Sequence, residues 1–128
     1  MCNIGQIMSY VCRVIQNAKT HKKHNHMKYL LLEKLDFAIQ EESIAKVSYK
    51  SRYINNVTLG EARDLYDEQC DAEEATDAAQ RDLLVKLSDQ YYGLYYEDMS
   101  YEDCIDYAER QVDKITYRIR TRLNNQLN

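Results

Sequence analysis

The densest chemistry in this chain lies between Tyr91 and Asp106. Tyr91, Tyr92, Tyr95, Tyr96 and Tyr101 stand there beside Glu97, Asp98, Glu102, Asp103 and Asp106, and no basic residue intervenes. Tyrosine next to carboxylate suits gripping a partner rather than turning over a substrate. The ring is large, stiff and cheap in entropy to immobilise, and its hydroxyl can stay hydrogen-bonded at a contact. Asp67, Asp71 and Glu74, further up the chain, belong to the same acidic segment and would steer a cationic partner toward the rings. The candidate partner-binding set is therefore Tyr91, Tyr92, Tyr95, Tyr96, Glu97, Asp98, Tyr101, Glu102 and Asp103, with Asp67, Asp71 and Glu74 as steering charges.

Other reactive residue types form no catalytic pattern. His21-x-x-His24-x-His26 has ligand chemistry, but Lys22 and Lys23 sit among the imidazoles and oppose a cation, so no metal is expected. Arg13 and His21 are spaced poorly for the arginine–histidine pair of HEPN-type helical ribonucleases. The acidic residues have no Glu-x-x-His partner of the kind a di-iron bundle needs. A glycine-rich phosphate loop and a nucleophile elbow are also missing. Cys2, Cys12, Cys70 and Cys104 lie far apart without a C-x-x-C pair, which suits reduced thiols in a cytoplasmic protein. The expectation is a protein without enzymatic activity or cofactor.

Charge is distributed unevenly. Residues 1–56 carry nine Lys/Arg against four Asp/Glu, a net of +5. Residues 57–109 carry three against sixteen, a net of −13, and residues 110–128 five against one, a net of +4. Like charges three and four residues apart on a helix repel by a few tenths of a kcal/mol per pair. Two readings explain this: the acids face the chain's own basic helices, or they face a partner. Exposed internal pairs would return little stability.

The elements that must carry these residues read as helices. Ile4, Ile7, Met8, Val11, Ile15 and Ala18 predict a first helix over Asn3–Lys19, and Thr20–His26, with no apolar residue before Met27, reads as a solvated turn. Met27, Leu31, Leu35, Ala38 and Ile39 predict a second helix over His26–Glu42, and Ser43–Asn55 reads as its continuation, straight or kinked. Thr58-x-x-Glu61 has capping-box spacing, with Val57 and Ala62 placed as a hydrophobic staple. It opens a third helix of about 30 residues, ~45 Å long, that Gly93 loosens or ends. Ser100-x-x-Asp103 repeats the cap before a fourth helix over Tyr101–Leu123, whose stripe runs Ile105, Ala108, Val112, Ile115, Ile119. The predicted fold is all-α: a four- to five-helix antiparallel bundle forming a single domain over residues 1–128. No segment approaches the ~20 apolar residues of a membrane span.

In size, lack of proline and acid-plus-tyrosine content, the chain resembles the small inhibitors that phages direct against defence systems, anti-CRISPR and DNA-mimic proteins among them. The resemblance covers no alignable motif and transfers no residue. It implies a non-catalytic blocker, located in the host cytoplasm if phage-encoded, that binds a basic, nucleic-acid-binding protein or complex through the acidic, tyrosine-rich face. The alternative is a small subunit of a nucleoprotein complex holding phosphate with Lys19, Lys22, Lys23, Arg118, Arg120 and Arg122. A homodimer is compatible with either.

Overall fold

The computed structural model describes residues 22–127, with side chains described over 26–126. Three helices account for nearly all of them: α1 (Lys22–Lys50), α2 (Leu59–Tyr95) and α3 (Tyr101–Leu127). No strand occurs among the described residues. Among the described residues the helices number three, packed as one compact domain, and the expected count of four to five is not supported; the expected Asn3–Lys19 helix lies outside the described residues.

Sequence and structure diverge mainly along α1. The helix already includes Lys22 to His26, where a turn was expected, because a stretch without apolar side chains still propagates helix when nothing in it breaks the backbone. It then continues without interruption through Ser43–Lys50. Its core side is Leu32, Leu35, Ala38 and Ile39, whereas Met27, Ile44 and Val47 are exposed. With apolar residues on two opposite sides, α1 has a blurred helical period that leaves its ends unmarked in the sequence.

The α1–α2 connection is tight. Backbone N–H groups of Ser51, Arg52, Asn55 and Val57 bond back to Val47, Tyr49, Ser51 and Arg52, and Asn56 takes a left-handed φ of 51° that asparagine tolerates better than most residues. Thr58 then caps α2. Its hydroxyl oxygen accepts from the Glu61 N–H at 3.1 Å, and the hydroxyl donates to Glu61 Oε1 at 3.2 Å. The expected box thus closes through the two side chains rather than through the Thr58 amide.

α2 is 37 residues long, about 55 Å, and passes through Gly93 to end at Tyr95. Gly93 is exposed, and a Cβ there would meet nothing within 4 Å, so glycine serves no close approach at that point. The turn closes as the N–H groups of Asp98 and Met99 bond the Tyr95 carbonyl at 3.0 and 2.8 Å. Ser100 caps α3 by accepting the Asp103 N–H at 3.2 Å, as its spacing predicted.

With these short turns, α2 runs antiparallel to both neighbours, making its most extensive contact with α1 and the next with α3. The core is one layer between the three helices. Leu35 and Ile39 meet Ala79, Leu83 and Leu87, and Cys104, Ala108, Ile115 and Ile119 close it from α3. Ala79 and Ala108 are fully buried, while Ala75 faces solvent. Gln80 Nε2 reaches Thr116 Oγ1 across the α2–α3 seam at 3.0 Å and sets the register of that pair.

Candidate functional site

The tyrosine–acid stretch forms one end of the bundle, across the last turns of α2, the 96–100 turn and the first turn of α3. Its tyrosines divide by depth. Tyr91 is only 4% exposed and meets Tyr107 edge-on at 4.9 Å, so it belongs to the core and is no surface anchor. Tyr95 is half-buried against the same cluster. Tyr92, Tyr96 and Tyr101 are exposed, as are Glu97, Asp98, Glu102 and Asp103.

Two of the exposed rings are held in place. Tyr92 and Tyr101 pack edge-to-face with centroids 5.3 Å apart, and the Tyr101 hydroxyl donates to Asp89 Oδ1 at 2.9 Å. That hydrogen bond, with smaller contributions from burial and the charge on Asp89, holds the Tyr101 phenol above its ordinary pKa. The pair ties the start of α3 to α2 and presents an aromatic surface already in position.

The steering acids lie elsewhere on the same helix. Asp71 is 21 residues from Tyr92, which is about 31 Å along α2. They are nevertheless on the same side of it. Residues 64, 67, 71, 74, 78, 82, 85, 89, 92 and 96 recur every three or four positions and trace one line facing away from the core. That line reads Asp64, Asp67, Asp71, Glu74, Ala78, Asp82, Val85, Asp89, Tyr92 and Tyr96 and contains no cation. The acids and the two outermost tyrosines therefore form one ridge running the length of the bundle.

The ridge is largely unmatched. Among the described residues only Asp82 has an ion pair, to Lys34 of α1 at 3.0 Å. The arginines near the end of α3 are engaged with α1 instead: Arg120 Nη2 meets Glu42 Oε2 at 3.1 Å, and Arg122 Nη2 meets Asp36 Oδ1 at 2.8 Å. The Glu42 carboxylate is buried and also faces Lys46 at 3.6 Å. Two arginines of the basic tail thus pair with Asp36 and Glu42 of α1, and most acids of the α2 ridge are left to solvent.

Two features escaped sequence reading. An open groove of about 360 Å³ runs between α2 and α3, with Leu84 and Val112 as its apolar floor and Asp77, Glu109, Asp113 and Arg81 among its rim. At the other end of the bundle, Arg52 lies over Tyr49 at 3.9 Å and Tyr53 at 4.2 Å, and Tyr49 contacts Tyr66 at 5.7 Å. The spacing Tyr49–Arg52–Tyr53, one helical turn, was the available signal for this second cluster. The Tyr66 phenol is raised chiefly by its hydrogen bond with Cys70.

No metal-holding cluster of three His, Cys, Asp or Glu residues occurs among the described residues. The side chains of His21 and His24 lie outside them. Cys70 and Cys104 are free thiols, and burial, followed by the nearby Asp103 charge, pushes Cys104 up. No helix among the described residues is long and apolar enough to cross a membrane.

Among the described residues, fold and site together define three packed helices with an acidic outer ridge ending in exposed tyrosines. The chain matches no known family model, no curated protein and no solved structure.

Proposed function

We propose that this is a non-enzymatic interaction protein whose α2 ridge and adjoining turn bind a basic, nucleic-acid-binding partner. It would act in the cytoplasm as an inhibitor of the kind phages direct against host defence complexes. One observation carries this reading: five of the six acids on the ridge have no ion pair among the described residues, although the chain holds arginines that pair elsewhere. Carboxylates and phosphates both satisfy arginine, so the ridge would compete with nucleic acid for a basic groove. Six carboxylates over 25 residues, about 38 Å, are much sparser than duplex phosphates, which favours a mixed interface of acids and aromatic anchors over replacement of a whole duplex.

Nucleic-acid binding by this chain itself is the weaker reading. Arg120 and Arg122 are occupied by Glu42 and Asp36, so holding phosphate with them would mean giving up those bonds. A mobility-shift assay at low salt with single- and double-stranded probes should show no shift. Pull-down from nuclease-treated lysate should recover a basic, nucleic-acid-binding protein that added duplex displaces. Capture should fail when Tyr92, Tyr96, Glu97 and Asp98, all exposed, are changed to alanine while the helical spectrum is retained. Equal capture by that variant, or a robust shift with the chain alone, overturns the proposal.

A further inference from the structure

α1 carries a second apolar line opposite its core side. Leu30, Phe37 and Ile44 are 47%, 63% and 60% exposed and lie seven residues apart. Seven-residue spacing drifts only about 20° per repeat on a straight helix, so the three make one seam along the outside of the bundle. Met27 and Val47, both exposed, flank it near its two ends, one on each shoulder. Apolar residues held in solvent along one line of a helix form an exposed patch of the kind that marks an interaction surface.

We infer that the seam is a homodimer contact, α1 of one copy packing on α1 of a second. The surface is self-complementary, as a two-fold contact requires. Phe37 at its middle meets Phe37 of the other copy, with Leu30 and Ile44 filling the layers on either side. The shoulders agree with this in charge. Helical periodicity places Lys34 and Glu41 on one shoulder of the seam and Glu33 and Gln40 on the other. If the helices run antiparallel, Lys34 meets the second copy's Glu41 and Glu33 meets Gln40. If they run parallel, Lys34 meets Glu33 and Glu41 meets Gln40. Either way two symmetric ion pairs form and no acid faces an acid. Lys34 already bonds Asp82 at 3.0 Å, and an ammonium group has donors for both.

Another copy fits the seam better than the chain's own beginning. A helix over Asn3–Lys19, folding back from Lys22, would extend roughly to the level of Phe37, leaving Ile44 and Val47 bare. Three apolar layers make a small interface, so the dimer is a weak one.

Sedimentation equilibrium of the full chain from about 1 to 300 µM tests this. The expected result is a reversible monomer–dimer equilibrium that Phe37→Glu abolishes at every concentration, with an unchanged helical spectrum. Either Glu41→Lys (antiparallel) or Glu33→Lys (parallel) should weaken it about ten-fold, as expected when two pairs turn repulsive. Tyr117→Glu, at an exposed position on α3, should leave it unchanged. A monomer throughout overturns the inference, and residues 1–21 are then the occupant if deleting them produces association. A dimer that survives Phe37→Glu overturns it equally. Partner capture by the α2 ridge is independent of this result, since Phe37→Glu leaves that ridge intact.

Discussion

The Tyr101 hydroxyl donates to Asp89 across the α2–α3 turn at 2.9 Å, and the same ring packs edge-on against Tyr92. One side chain thereby ties the start of α3 to α2 and fixes an aromatic surface beside five carboxylates.

The bond has a pH signature. Only the neutral phenol can donate, and its pKa is raised above 10.0. A group whose folded pKa is raised contributes stability that is fully present below the unfolded pKa and lost as pH rises through the folded one. Tyr101→Phe should therefore lower Tm at pH 7 to 9, and the difference from the parent should shrink above pH ~10. A Tm difference that persists unchanged at pH ~11.5 would contradict this account, since phenylalanine keeps the ring and lacks only the donor.

The two α3 arginines that pair with α1 should differ in weight. Glu42 is 5% exposed and keeps only Lys46 once Arg120 is removed, whereas Asp36 is partly open to water. Arg120→Ala should cost about 1–3 kcal/mol, the penalty for stranding a buried carboxylate, reduced because the guanidinium is itself half exposed. Arg122→Ala should cost under about 1 kcal/mol. Urea denaturation of both variants and of Glu42→Gln/Arg120→Ala checks this: the double variant should recover part of the loss, and equal costs for the two single variants would contradict the assignment.

Gln90 offers a test in the opposite direction. Its side-chain oxygen and nitrogen are both buried, with no hydrogen-bond partner among the described residues. Gln90→Leu should stabilise the protein by about 1–2 kcal/mol, since a buried amide left unpaired costs on that order. A loss of stability in the same denaturation experiment would mean that the amide is satisfied by water.

What was legible in the sequence follows from where packing and local chemistry agree. Thr58 and Ser100 cap their helices as their spacing predicted, because a cap is a contact between residues three apart. The α3 stripe was legible because that helix has one apolar side and one charged side. α1 was harder, since Phe37 and Ile44 oppose Leu35 and Ile39 and cancel the periodicity. Within the candidate site, composition singled out five tyrosines alike. Position on the helix separated them: counting in threes and fours from Leu87 puts Tyr91 with the core, whereas counting from Asp89 puts Tyr92 and Tyr96 outside. That the arginines of α3 choose α1 rather than α2 depends on how three helices meet, and no local pattern encodes it.

The ridge and the turn should act on different steps of binding. Asp67, Asp71 and Glu74 are exposed, roughly 27 to 38 Å along α2 from Tyr92, and without ion pairs among the described residues, so they contribute long-range field more than contact. Changing all three to asparagine should slow association by about ten-fold at low salt, flatten its salt dependence and leave dissociation within a factor of about two. Tyr92→Ala with Tyr96→Ala should instead raise the dissociation rate by about 100-fold or more with little change in association, as loss of two aromatic anchors predicts. Surface plasmon resonance with the captured partner at two salt concentrations separates these outcomes. If the asparagine triple variant dissociates faster by as much as the tyrosine double variant, the interface is centred on α2 and the turn is peripheral.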